Sequence, residues 1–121
     1  MDVFASIIPF ESAVQLPRFH TKAGEQLIDL GRIVYLKAQL NYTVFYLLDG
    51  EQVVTSLSLS TYARLLEPCG FVRLHKSCLL NGQYLSRCEV IENQLLILPD
   101  RQQVTIARRR KGIIKRLKVN D

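Results

Sequence analysis

The chain has 121 residues, 48% of them hydrophobic and 22% charged, which fits one globular domain and excludes disordered and fibrous chains. The net charge is +5, no stretch of about 18 uncharged apolar residues could span a membrane, and Asp2 without a basic n-region argues against a signal peptide. We therefore expect a single cytoplasmic domain without membrane insertion.

The chain begins with an ambiguous segment that is followed by a predicted hairpin. Residues 1–15 have a mixed pattern with Pro9, which predicts a flexible lead-in or an extra edge element. Residues 16–21 and 26–30 are strand-like and flank a turn that contains Gly24. A β-hairpin is therefore expected directly after the lead-in.

A second hairpin is predicted in the middle of the chain. Residues 33–38 and 42–48 are β-branched and aromatic runs, and another strand-like run covers residues 51–55. The pair Asp49-Gly50 between the last two runs is typical of a type I′ turn. The two acids at this turn, Asp49 and Glu51, are then solvated turn residues rather than a catalytic pair.

One short helix follows the second hairpin. Apolar residues recur at helical spacing from Leu59 to Leu66, with Ser58 or Ser60 as the N-cap and Pro68 as the terminator. Strand-like runs then resume at Phe71–Leu74, Tyr84–Ile91, Leu95–Leu98 and Gln103–Ile106. Because strands never alternate regularly with long helices, this order favours an antiparallel fold over a parallel βαβ fold.

The C-terminal region concentrates the positive charge. Residues 108–119 predict a second helix with a narrow apolar face and a basic remainder. Residues 101–118 contain eight Lys and Arg and no acid, whereas residues 1–100 carry a net charge of −2. Such a segment suits a polyanion, either DNA, RNA or an anionic membrane surface. A solvated basic helix without a partner is the alternative that charge alone leaves open.

Signatures of metal sites and enzymes are absent from the sequence. The sequence has an odd number of cysteines, Cys69, Cys78 and Cys88, and no C-x-x-C pair. This favours buried structural thiols over disulfides or zinc ligands. No Gly-rich phosphate loop or hydrolase motif occurs. His75 and Ser77 are two residues apart, but no orienting carboxylate is adjacent. We expect no catalytic activity, no cofactor, no metal and no small-molecule substrate.

The most informative stretch is GFVRLHKSCLLNGQYL, residues 70–85, which contains the pattern F-x-R-x-H-x-S-x-x-x-N. Two other segments support the same resemblance: IVYLKAQLNYTVFYLLDG at residues 33–50 and IARRRKGIIKRL at residues 106–117. The three segments follow one another in the order found in the LytTR family, and the chain therefore resembles that family. This family provides the DNA-binding domain of many bacterial response regulators. The resemblance implies a mainly β fold, an elongated antiparallel β-sandwich with two short helices. We expect residues 16–119 to form this domain.

The resemblance further implies that loops, rather than a recognition helix, enter successive major grooves of double-stranded DNA. The corresponding residues here are Asn41 and Tyr42; Arg73, His75, Lys76 and Ser77; and Arg108, Arg109 and Arg110. Among them, Asn41, Lys76 and Arg109 have side chains that can read base edges. Arg73 and Ser77 suit phosphates. His75 is equally compatible with a packed, hydrogen-bonded histidine, and Asn81 is expected to be structural.

The chain departs from the family pattern in two respects. Ala107 replaces the Ser that commonly precedes the terminal Arg pair. The roughly 15 residues before the resemblance leave no room for the receiver domain that family members often carry, so we expect a free-standing domain or an excised fragment.

The sequence thus predicts a DNA-binding transcriptional regulator, with two copies forming a homodimer on paired half-sites. The alternative is a protein-interaction module that restrains a signalling or membrane partner, which the mean hydropathy of +0.08 and the apolar residues 3–10 allow. RNA binding is less favoured, because the glycine-aromatic signature of the commonest RNA-recognition sheet is missing.

Overall fold

The computed structural model describes residues 17–110 and Gly112. Its strands are β1 (Arg18–Thr21), β2 (Gly24–Leu27), β3 (Ile33–Gln39), β4 (Tyr42–Leu47), β5 (Gln52–Thr55), β6 (Phe71–His75), β7 (Cys78–Asn81), β8 (Glu89–Ile91), β9 (Leu95–Ile97) and β10 (Gln103–Thr105). The α-helix α1 covers Leu59–Leu66, and 3₁₀ turns cover Leu30–Arg32, Glu67–Cys69, Gly82–Arg87 and Arg108–Arg110. None of the helices in this part of the chain is long and apolar enough to cross a membrane.

The strands form two antiparallel sheets that pack as a sandwich. The larger sheet has seven strands in the order β2-β1-β5-β4-β3-β7-β6, and the smaller has three in the order β10-β9-β8. Leu36 of β3 belongs to the buried cluster that contains Tyr62 of α1, whereas its neighbour Tyr35 belongs to the cluster that contains Leu96 of the smaller sheet. Successive side chains of a strand point to opposite faces, so the central strands β3 and β7 of the larger sheet are buried on both faces, whereas β1 and β2 at its edge are largely exposed. The predicted mainly β, antiparallel sandwich is confirmed.

Helix α1 begins and ends close to the predicted residues. Ser58, rather than Ser60, is the N-cap, and its hydroxyl accepts the Thr61 N–H at 3.2 Å. Of its apolar residues at helical spacing, Leu59, Tyr62, Ala63 and Leu66 are buried, and Leu65 is partly buried. After Leu66 the chain tightens into a 3₁₀ turn that contains Pro68, which ends the regular helix as expected.

The prediction of a type I′ turn at Asp49-Gly50 is wrong. Only Gly50 has a positive φ, +89°, whereas a type I′ turn needs positive φ at both central residues. Gly50 N–H donates to Leu47 O at 3.0 Å, and Leu47 N–H donates to Glu51 O at 2.9 Å, so the loop has three residues. The Asp49 carboxylate accepts the Glu51 N–H and the Arg32 guanidinium, and these contacts hold its pKa below the ordinary value.

The prediction of a strand from Tyr84 to Ile91 is also wrong over most of its length. Gly82–Arg87 is a 3₁₀ turn, and only Glu89–Ile91 is a strand. The buried residues are Tyr84, Leu85 and Cys88, a spacing that follows a helical period rather than strict alternation. The Tyr84 hydroxyl donates to the Gly31 carbonyl and ties this turn to the segment before β3.

Asn81 has the structural role expected for it. Its side chain is buried and donates to Leu30 O at 3.1 Å and to Ile33 O at 2.9 Å. Its side-chain oxygen accepts the Gln83 N–H at 3.2 Å, which caps the 3₁₀ turn that begins at Gly82. Asn81 therefore joins the end of β7 to the start of β3.

Strand β7 was not predicted, because all four of its residues are buried and show no alternation. Within it, burial raises the pKa of the Cys78 thiol to about 12. Cys88 is buried as well, so both thiols are structural as expected, whereas Cys69 is only partly buried. The predicted terminal helix is described only at its first turn, Arg108–Arg110, and at Gly112; the remainder and residues 1–16 lie outside the described residues.

Candidate nucleic-acid interface

Three turns of the seven-stranded sheet lie at the same end. Thr21 of β1 and Thr43 of β4 both pair with Thr55 of β5, and Ala38 of β3 pairs with Thr43. Ala38 N–H also donates to Ser77 O at 2.9 Å, just before β7 begins. The strands therefore end in register. We call this the loop end, formed by the turns at residues 22–23, 40–41 and 76–77.

Lys76 lies between two clefts at the loop end. Asn41, Tyr42, Ser58, Ser60 and Lys76 are among the residues that line the first cleft. The second cleft is lined by Arg73, His75, Lys76, Ala107 and Arg109. Because Lys76 lines both, Asn41, Lys76 and Arg109 follow one another along one continuous surface, and all three are exposed. The hypothesis that Asn41, Lys76 and Arg109 read bases requires that the three side chains share one exposed surface.

Arg73 holds the turn that presents Lys76. Its Nε donates to His75 O at 3.0 Å, and one terminal nitrogen donates to Lys76 O at 2.6 Å. The guanidinium is a planar fork, so two donors can fix two carbonyls of one turn at once. Arg73 is partly buried, and its two hydrogen bonds stabilise the β6–β7 turn.

His75 and Ser77 are joined across the same turn. His75 Nδ1 accepts the Ser77 backbone N–H at 3.2 Å and lies 2.9 Å from Ser77 Oγ. Because Nδ1 is an acceptor here, a neutral imidazole carries its proton on Nε2. His75 is therefore partly buried and hydrogen-bonded within its own turn, and Nε2 is the ring atom that is left to donate to another acceptor.

The β3–β4 turn carries Asn41 and is flanked by a lysine that the sequence did not single out. The Lys22 ammonium lies 4.0 Å from the centre of the Tyr42 ring, a cation–π contact between the first and second hairpins. Tyr42 is 40% exposed, so one ring serves both as a platform for Lys22 and as a wall of the first cleft. The pairing of β1 with β5 brings these two turns together, and local sequence could not indicate it because the two strands are distant in sequence.

The segment that contains Arg108, Arg109 and Arg110 follows β10 and reaches the same surface. Ala107 N–H donates to Leu74 O at 2.8 Å, which ties the segment after β10 to strand β6. Arg108 and Arg109 follow as exposed residues of a 3₁₀ turn. The side chain of Arg110 lies outside the described residues.

Carboxylates occupy the opposite end of the larger sheet. Asp29 precedes β3, and Asp49 and Glu51 flank the β4–β5 turn, where both form ion pairs with Arg32. In the same region the Tyr35 hydroxyl donates to the Asp100 carboxylate at 2.7 Å, and burial, followed by this hydrogen bond, raises the pKa of Tyr35 above its ordinary value. Lys22, Lys76 and Arg109 therefore lie at the loop end, where the nearby acid Glu25 is ion-paired with Arg18. Asp49 and Glu51 lie at the other end, where Arg32 offsets part of their charge.

No group of three or more His, Cys, Asp or Glu side chains within the described part of the chain is arranged to hold a metal ion.

Comparison with known proteins identifies the family. The LytTR family, described as LytTr DNA-binding domain, matches residues 24–118, which is most of the chain. This chain belongs to the LytTR family. The family is one of DNA-binding domains, so DNA is a partner of this LytTR domain.

A solved structure supports the fold independently. The chain is similar to a LytTr DNA-binding domain from Bacillus cereus, with a TM-score of 0.66 and 18% sequence identity over 85% of this chain and 95% of that one. At this level of identity the similarity establishes the LytTR fold alone. Comparison with curated proteins gives no match.

Proposed function

We propose that this LytTR domain is a transcriptional regulator that binds double-stranded DNA sequence-specifically, with loop-end side chains in the major groove. One observation carries the proposal. Lys76 lines both clefts of the loop end, so Asn41, Lys76 and Arg109 form a continuous row of groups that can read bases. In the major groove each base pair presents a distinct set of donors and acceptors, which such side chains can distinguish.

Within this proposal each residue of the row contacts the base that its side chain can hydrogen-bond. Asn41 bonds adenine through its amide, whereas Lys76 and Arg109 donate to the acceptors of guanine. Tyr42 forms part of the same cleft wall, and His75 offers its Nε2–H toward the second cleft. These residues would set which sequence is preferred.

Other residues would fix the register of the domain on the duplex. Ser77, Arg108 and Arg110 suit phosphate oxygens, which position a protein without reading sequence. The contacts of Arg73 with two turn carbonyls favour a positioning role for it, in which it holds Lys76 in place. We extend the proposal to residues 16–119 as the DNA-binding unit and to residues 1–15 as its lead-in.

Two copies on paired half-sites would complete the proposal. A single small module contacts few base pairs and has limited specificity, so half-sites separated by one helical turn, or a multiple of it, are expected.

A selection from random duplex DNA at two salt concentrations tests the proposed function. The parent should enrich one motif with repeated half-sites, and its affinity should fall steeply as salt rises. Arg109→Ala should weaken binding to that motif by about 1–3 kcal/mol and relax the preference at particular base pairs.

Arg101→Ala is the matched control, because Arg101 is exposed in the β9–β10 turn, away from the loop end. It removes the same charge and should leave the preferred motif unchanged. If the Arg109→Ala variant and the parent bound every sequence alike, Arg109 would have no reading role. If the parent enriched no motif, sequence-specific binding itself would be refuted.

A further inference from the structure

Leu40 combines two features that are unfavourable for the folded chain. Its side chain is 98% exposed, the highest value among the large hydrophobic residues that the structure describes, whereas the next, Leu27, is 56% exposed. Its φ is +53°, in the left-handed region that favours Gly and Asn. Packing within the described chain offsets neither feature. A contact with a partner would explain why this side chain stands at the tip of a turn.

The surroundings of Leu40 restrict what that partner is. Leu40 immediately precedes Asn41 and lines the first cleft together with Lys76. Lys22 lies beside the same cleft, on the Tyr42 ring. A single apolar side chain among cations and an amide is poorly matched to an apolar protein surface. It does match the major groove, where the thymine C5-methyl group is an apolar feature among polar base edges and phosphates.

We propose that Leu40 reads the methyl group of a thymine at or next to the base pair contacted by Asn41. The inference rests on the proposed function, since it requires the loop end to enter the major groove. An Asn side chain bonds adenine N6 and N7, and the paired thymine presents its methyl group in the same groove. Two adjacent residues, one amide and one aliphatic, can therefore read one A·T pair from both sides.

Replacement of thymine by deoxyuridine isolates this contact, because it removes the methyl group and leaves every hydrogen bond of the base pair intact. Synthetic duplexes would carry the preferred motif from the selection, with each thymine replaced in turn. For the parent, the Kd should rise about fourfold at one thymine in each half-site, the effect of one methyl group that is no longer buried. Replacement at the other thymines should leave the Kd unchanged.

Leu40→Asn and Leu40→Met test the same contact from the protein side. Asn tolerates the left-handed backbone, so Leu40→Asn should fold with a Tm equal to or above that of the parent. It should bind the thymine and uracil duplexes equally. Leu40→Met keeps an apolar side chain and should retain the discrimination. Leu48→Asn is the matched control, because Leu48 is 52% exposed at the opposite end of the sheet and should leave discrimination intact.

The outcomes separate this inference from the proposed function. If the parent selects a motif but binds uracil and thymine duplexes equally at every position, Leu40 reads no methyl group. Discrimination that persists in Leu40→Asn, or a loss of affinity that is equal for both duplexes, would also overturn the inference while sequence-specific binding stands. If the parent selects no motif, the proposed function fails, and this inference fails with it.

Discussion

Asn81 satisfies three backbone groups with one side chain. It donates to the carbonyls of Leu30 and Ile33 and accepts the N–H of Gln83. Asn81→Ala would leave two carbonyls without these donors, each at about 1–3 kcal/mol, so we expect the free energy of unfolding to fall by about 3 kcal/mol. Urea unfolding followed by circular dichroism measures this change.

The matched control for Asn81→Ala is Gln83→Ala. Gln83 donates its side-chain amide to Gly31 O at 3.0 Å, but this hydrogen bond is exposed, so its loss should lower the free energy of unfolding by less than about 1 kcal/mol. Similar small losses in both variants would contradict the structural role of Asn81.

At the scale of single residues, the sequence predicts roles that depend on the chemistry of a side chain. It does not predict contacts between residues that are distant in sequence. The base-reading residues Asn41, Lys76 and Arg109 could be proposed from their chemistry and from the LytTR resemblance. The bracing role of Arg73 could not, because it depends on where the carbonyls of a tight turn point. Lys22 was missed for a similar reason, since its contact with Tyr42 joins separate hairpins.

The β6–β7 hairpin is the element on which the position of Lys76 depends. We expect Arg73→Lys to weaken binding to the preferred motif about tenfold, equivalent to the loss of one charge-assisted hydrogen bond of about 1.5 kcal/mol. Lysine keeps the charge but lacks the fork that holds His75 O and Lys76 O together. Fluorescence anisotropy with the preferred and a scrambled duplex measures the effect, and binding to the scrambled duplex should not change.

Arg87→Lys is the control for that substitution, because Arg87 lies over the Tyr84 ring at the other end of the sheet. It should leave both affinities as they are. If Arg73→Lys instead weakened preferred and scrambled duplexes equally, Arg73 would be a phosphate contact and not a positioning residue.

Helices and strands were predictable from the sequence where one face is buried and the other is exposed. Helix α1 has this pattern, and its helical period identified it within a residue or two. Strand β7 is buried on both faces, so it has no alternation to detect. The turn at residues 82–87 was misread because its apolar residues suit a strand or a helix, and the contact with Gly31 that decides between them is distant in sequence.

At the scale of the whole molecule, the antiparallel sandwich could be predicted, but the separation of charge along its strands could not. The sequence assigns the positive potential to residues 101–118 alone. The sheet order adds Lys22 and Lys76 to the same surface, although both lie in segments with an unremarkable net charge. Acids such as Asp49 and Glu51 are placed at the far end, where Arg32 neutralises part of their charge.

This polarity predicts which cations contribute to the salt dependence of DNA binding. Each neutralised phosphate releases counterions and adds about 0.9 to the slope of log K against log salt on duplex DNA. Lys22→Gln should therefore reduce the magnitude of the slope by about 1 and weaken preferred and scrambled duplexes alike. Arg101→Gln, which removes the same charge away from the loop end, should leave the slope unchanged. Titrations at four or more salt concentrations give both slopes. A slope reduced equally in both variants would mean that DNA binding depends on the net charge of the domain and not on the loop end. An unchanged slope in both would mean that Lys22 contacts no phosphate.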